Sequence, residues 1–194
     1  MAGVLLAAGA GSRLGTPKAL VELGGRRLVD RGADLLRDGG AAPVLVVLGA
    51  AQVTVPGVRT VHNPDWPTGM GSSLAAGLQA LPGDCAAAVI ALVDQPLIGA
   101  AAVRRLIAAH QAGAEIAVAT YHGKPRNPVL LARRHWPGVL AAAVGDAGAR
   151  PWLPRWSART PAARTTWTPR KTWPGWLAWW PAPAGRPAVS RAAR

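Results

Sequence analysis

Cysteine, tyrosine and phenylalanine are scarce or missing in this chain, and so are acidic residues beyond its middle. The 194 residues include one cysteine, Cys85, one tyrosine, Tyr121, and no phenylalanine. A single cysteine excludes an intramolecular disulfide and a thiolate zinc cluster. Cys85 precedes an apolar run and reads as a small core residue. No apolar stretch reaches the roughly 18 residues that a membrane-spanning helix needs. The apolar start at Val4 has no basic segment before it, so a signal peptide is not expected. These absences fit a soluble protein of the cytoplasm.

None of the nine acidic residues lies beyond Asp146, whereas residues 151–194 hold eight of the 22 Lys and Arg and seven of the nine Trp. The formal net charge of +13 would by itself suggest a nucleic-acid partner. Residues 1–150, however, carry 14 basic against nine acidic side chains, a net +5, which is ordinary for an enzyme of anionic substrates. The excess belongs to the tail, so no nucleic-acid partner is expected. The rival reading is a basic, Trp-bearing arm that stacks on single strands. Half of the residues are apolar, and the length suits one domain with a sizeable core.

Short apolar runs alternate with helical patterns. Strands are expected at Val4–Ala7, Pro43–Leu48, Val58–Val61, Ala86–Val93, Glu115–Thr120 and Val129–Leu131. Helices are expected at Arg27–Arg37, Ser72–Leu81 and Ala100–His110, and Ala19–Leu23 reads as a short extended piece before a Gly24-Gly25 turn. That alternation implies an α/β fold, a mostly parallel sheet covered on both faces.

The stretch from Gly3 to Leu20 organises the rest. A buried strand runs into a loop with Gly9, Gly11 and Gly15, with Ser12 and Arg13 inside it and Lys18 just beyond. Glycines let backbone N–H groups approach an anion, and the two bases add charge, so the loop reads as a phosphate site at a strand's carboxyl end. A plain glycine turn is the alternative. A Walker A loop is excluded because Lys18 follows Gly15 by three residues with Pro17 before it. A dinucleotide fingerprint fits poorly, since Pro17 breaks the run into a helix that GxGxxG requires.

The pattern Leu6-Ala7-Ala8-Gly9, Gly11-Ser12-Arg13-Leu14-Gly15 and Lys18 closely resembles the LAAGxSxRMGxxK signature of the MobA-like nucleotidyltransferases. Three later segments resemble the same family, in its molybdenum cofactor cytidylyltransferase branch. The first is His62–Leu78, with Trp66, Gly69-Met70-Gly71 and Ser72-Ser73. The second is Gly123–Leu131, and the third is Gly145–Arg150. The resemblance implies a Rossmann-like three-layer α/β/α domain over residues 1–153.

Asp94 ends the apolar run Ala88–Val93. A carboxylate at a strand tip beside a phosphate loop can hold Mg²⁺, a hard ion that prefers oxygen ligands. A helix cap or turn aspartate before Pro96 is the alternative. The family's metal-binding aspartate motif matches Leu92-Val93-Asp94-Gln95-Pro96 and implies the metal.

The resemblance further implies that Arg13, Lys18 and Asp94 are catalytic. It gives the nucleotide to Leu6, Ala7, Ala8, Gly9, Gly11, Ser12, Arg13, Lys18, Gly69, Ser72 and Ser73. Lys124, Arg126, Asn127 and Asp146 fall on the acceptor side. On the residues alone, Lys124 and Arg126 read equally as solvated bases, Ser72 and Ser73 as a helix cap, and Trp66 as a packing residue. The implied reaction joins a nucleoside triphosphate, CTP or else GTP, to a phosphorylated acceptor of the molybdopterin type. A molybdenum hydroxylase or its maturation chaperone is the implied protein partner. A sugar-phosphate transferase of the same fold and an NAD(P)-binding oxidoreductase are the other activities that the loop leaves open.

Residues 154–194 depart from the family, and their frequent prolines imply an irregular tail. Where the family continues close to Asp-Val-Asp-Thr-Pro-Glu-Asp-Leu, Thr165–Trp173 stands instead. Allowed codons for those residues give that same segment when read from the third base. A frameshifted gene with an inactive product is the hypothesis this raises, and coding DNA unable to give the alternate reading would sink it.

Overall fold

The computed structural model describes residues 1–121, 124–143, 145–147 and 163–166. Nine strands and four α-helices are described: β1 Ala2–Leu6, β2 Glu22–Leu23, β3 Arg26–Arg27, α1 Leu28–Asp38, β4 Val44–Leu48, β5 Arg59–His62, α2 Met70–Gln79, β6 Ala87–Leu92, α3 Ala100–Gln111, β7 Ile116–Tyr121, β8 Lys124–Ala132, α4 Trp136–Ala142 and β9 Ala163–Thr166.

Seven strands form one sheet in the order β5-β4-β1-β6-β8-β7-β9. All described pairs of this sheet are parallel except those of β8, which runs antiparallel to both β6 and β7. β1 lies in the sheet interior between β4 and β6 with both faces covered, which is why Ala2–Leu6 is apolar at every position and wholly buried. β5 at the edge is mostly exposed and accordingly mixes Arg59, Thr60 and His62 with Val61.

The alternation of side chains along the strands feeds two cores. Leu5, Val46, Val89 and Leu130 face α1 and α3 through Val29, Leu36, Val103 and Leu106. Val4, Val47, Ile90 and Leu131 face the other way, toward Leu74 and Leu78 of α2 and Trp136 and Val139 of α4. The result is a three-layer α/β/α, Rossmann-like architecture: the strand–helix alternation implied the covered, mostly parallel sheet, and the family resemblance implied the three layers.

Several local expectations are corrected. Lys18–Leu20 is a 3₁₀ turn, and Glu22–Leu23 pairs with Arg26–Arg27 as a tiny separate hairpin, so Ala19–Leu23 is not one extended piece. The turn is held because Ala19 is buried, whereas Leu20 stays exposed. α4 was not expected. Pro137 in its first turn removes no helical hydrogen bond, and Trp136 anchors it by donating Nε1–H to the Leu131 carbonyl at 3.1 Å. β8 extends well beyond Val129–Leu131 because β7 continues to pair with it past a register shift at Val118/Ala119.

Of the Pro-, Arg- and Trp-rich tail, the structure describes Ala163–Thr166. These four residues form an edge strand parallel to β7, so they are not irregular. They occupy a proline-free window between Pro161 and Pro169, at the sheet edge where few ladder bonds are required. The rest of residues 154–194 lies outside the described residues.

Candidate active site

At the carboxyl end of the sheet, over the tips of β1 and β6, lies a cavity of about 410 Å³. Four segments build its wall. The loop after β1 supplies Ala8, Gly9, Ser12 and Lys18. The end of β6 supplies Asp94. The connection from β5 into α2 supplies Trp66, Gly69, Met70 and Ser73. The 3₁₀ turn Gly145–Ala147 supplies Asp146.

The glycine loop folds back on itself. The Leu14 N–H donates to the Gly11 carbonyl at 2.7 Å, and the Lys18 N–H to the Gly9 carbonyl at 3.3 Å. Gly11 sits at φ +61°, and a Cβ there would lie 2.0 Å from the Thr16 carbonyl oxygen, so only glycine allows this closure. Closure brings the Lys18 ammonium 2.7 Å from the Asp94 carboxylate, across 76 residues of sequence. Arg13 is exposed and stands outside the wall, as do Ala7 and Gly11.

The start of α2 is clamped by a residue that sequence reasoning did not single out. Asn63 is 3 % exposed. Its Nδ2–H₂ donates to Ser72 Oγ at 2.9 Å and to Ser73 Oγ at 3.1 Å, and its Oδ1 accepts the Asp65 N–H at 3.0 Å. The last contact is an Asx turn, and the Asn63-Pro64 pair after an apolar run was the signal available for it. Ser72 Oγ lies 2.9 Å from both the Asp65 and the Gly69 carbonyls. Its hydroxyl is thus engaged within the loop, while Ser73 lines the cavity.

Two glycines let the 3₁₀ turn approach α2. A Cβ on Gly69 would lie 2.4 Å from the Gly145 carbonyl carbon, and one on Gly71 2.2 Å from the Ala143 oxygen. That approach carries Asp146 to the cavity from beyond α4. Trp66 stands on Gly49, where a Cβ would lie 2.6 Å from the Trp66 Cβ and Cγ. Trp66 therefore packs against the sheet end and faces the cavity at once.

Lys124, Arg126 and Asn127 lie on β8, and Arg126 and Asn127 stand outside the cavity wall. Arg126 is exposed, and its guanidinium lies 3.3 Å from the Pro125 carbonyl.

Among the described residues no group of three or more His, Cys, Asp or Glu side chains is placed to hold a metal. Asp94 and Asp146 do share one wall. Mg²⁺ is commonly bound by one or two carboxylates with substrate phosphates completing its octahedron. The donor set therefore fits a Mg²⁺ bound together with a polyphosphate. Among the described residues no helix is long and apolar enough to cross a membrane.

The MobA-like NTP transferase domain matches residues 3–160. Nicotine blue oxidoreductase of Paenarthrobacter nicotinovorans is 41% identical over 176 residues, covering 78% of this chain and 83% of that protein. The molybdenum cofactor guanylyltransferase of Xanthomonas euvesicatoria is 36% identical over 109 residues, 56% of this chain and 54% of its own. Rv0371c of Mycobacterium tuberculosis superposes with a TM-score of 0.73 at 29% identity, covering 86% of this chain and 87% of that one. A second structure of it, in complex with manganese, gives 0.70 at 27% identity, with 86% and 88% covered.

Proposed function

The chain belongs to the MobA-like NTP transferase domain family, and we propose that it transfers a nucleoside monophosphate from a nucleoside triphosphate to a phosphorylated acceptor, releasing pyrophosphate. The observation that supports this most is the Lys18–Asp94 pair at 2.7 Å, on the wall of the cavity that the glycine loop and α2 enclose. It sets a cation and a carboxylate side by side where a triphosphate would enter.

In this reading the backbone from Gly9 to Arg13 cradles the phosphates, with Ser12 beside it and Arg13 reaching in from the rim. Leu6, Ala7, Ala8 and Gly11 shape that loop. Lys18 donates to the oxygens on which charge develops in the in-line displacement. Asp94, with Asp146 on the same cavity wall, would hold Mg²⁺, and the ion would supply charge neutralisation at the phosphates. Gly69 and Ser73 bring the N-terminal turn of α2 to the nucleotide, and Ser72 keeps that turn in place. The acceptor's polar ring atoms meet Asp146, and its phosphate meets Lys124, Arg126 and Asn127 from β8.

The nucleotide proposed is CTP, with GTP as the alternative. The acceptor proposed is of the molybdopterin type, which a relative named as a molybdenum cofactor guanylyltransferase supports. A maturation protein of a molybdenum hydroxylase would then receive the product.

A second reading follows from the relative named as an oxidoreductase at 41% identity. Here the same cavity would hold a nicotinamide dinucleotide. Thermal shift with CTP, GTP, UTP, ATP and NADP, each with and without Mg²⁺, separates the two, because a ligand of the folded state raises Tm by mass action. A Mg²⁺-dependent shift with one triphosphate, followed by pyrophosphate release on adding a molybdopterin-type acceptor, supports the transferase. A shift with NADP alone supports the oxidoreductase.

A further inference from the structure

We infer that in the substrate-free protein Lys18 is the counter-ion that keeps free divalent cations off Asp94, so that the carboxylate becomes a metal ligand only when an anionic polyphosphate draws the ammonium away. The inference rests on the proposed metal role of Asp94. Its physical basis is on the cavity wall.

Lys18 Nζ lies 2.7 Å from Asp94 Oδ2, in direct contact with that carboxylate oxygen. Among the described residues of the wall Lys18 is the sole base, against the two carboxylates Asp94 and Asp146. It therefore halves the negative charge that would attract a dication and occupies one of the oxygens. The pair is not sealed. The Lys18 and Asp94 side chains are 35% and 32% exposed, so water screens their attraction and the ammonium can exchange partners. A triphosphate offers Lys18 several anionic oxygens at once and so releases Asp94 as it enters. Loading of metal and nucleotide is thereby coupled, each favouring the other.

The test uses the full chain and Mn²⁺ alone, with the free ion read from its EPR signal. Lys18→Met and Lys18→Gln should both bind free Mn²⁺ about tenfold or more tightly than wild type. Removing a unit charge a few ångströms from a dication is worth at least that even in water. Lys18→Arg, which keeps the charge, should bind as weakly as wild type. Adding Asp94→Asn to Lys18→Met should remove the gain. If Lys18→Met and Lys18→Gln bind no tighter than wild type while Asp94→Asn weakens binding, the metal site stands and this inference falls. It falls equally if Lys18→Arg tightens binding as much as Lys18→Met. If Asp94→Asn leaves Mn²⁺ binding unchanged in both backgrounds, the metal role of Asp94 falls, and the inference with it.

Discussion

Replacing Asn63 with alanine isolates the clamp that shapes one wall of the cavity. The side chain makes three hydrogen bonds, to Ser72 Oγ, Ser73 Oγ and the Asp65 N–H, and both Asn63 and Ser73 are buried. The backbone bond from the Asn63 N–H to the Leu48 carbonyl at 2.8 Å survives the substitution. At about 1 kcal/mol net for each lost bond, the cost is about 3 kcal/mol. For a chain of this size each kcal/mol lowers Tm by roughly 2–4 °C, so Asn63→Ala should melt about 10 °C below wild type. Differential scanning calorimetry at neutral pH measures it. The loss should be accompanied by a smaller nucleotide-induced shift, because Gly69 and Ser73 border the cavity. A Tm within about 2 °C of wild type would refute the claim that this amide holds the start of α2, since even one lost bond predicts more.

Further outcomes follow from the same geometry. Gly71→Ala would drive a Cβ to 2.2 Å from the Ala143 oxygen, so it should cost about 1–3 kcal/mol by overpacking and displace Asp146. Gly83→Ala, with nothing within 4 Å of the new Cβ, should leave Tm nearly unchanged in the same melting assay. Burial pushes the Tyr121 hydroxyl up to about 12 from 10.0. The folded state thus holds that proton more tightly than the unfolded one, and the stabilisation is complete below pH 10 and lost as pH rises toward 12. As the sole tyrosine, it can be followed directly by tyrosinate absorbance. Asp94→Asn should abolish the Mg²⁺-dependent part of any nucleotide shift. Lys18→Ala should lower kcat about 10²–10³-fold in a pyrophosphate-release assay, the usual cost of a lost transition-state donor.

What was legible locally and what was not divides along one physical line. The runs Val4–Leu6 and Ala88–Leu92 announced central parallel strands, because a strand covered on both faces must be apolar at every position. Gly9, Gly11 and Gly15 announced a loop that can turn sharply, and Asp94 a carboxylate at a strand tip. These follow from the side chains themselves and their immediate neighbours, so the chain's order alone determined the sheet core, the glycine loop and the family resemblance. Contacts between distant segments were a different matter. Nothing near Lys18 says that its ammonium meets Asp94, 76 residues on. Nothing near Asp146 says that it reaches the cavity, since it arrives only because Gly69 and Gly71 admit its turn against α2. The antiparallel direction of β8 and the place of Ala163–Thr166 at the sheet edge were equally hidden, because a strand's pattern records which faces are covered and not which neighbour pairs with it. The sequence by itself determined which residues could do chemistry. Which of them share one cavity was decided by tertiary structure alone, because that depends on the packing of helices and loops from the whole length of the chain.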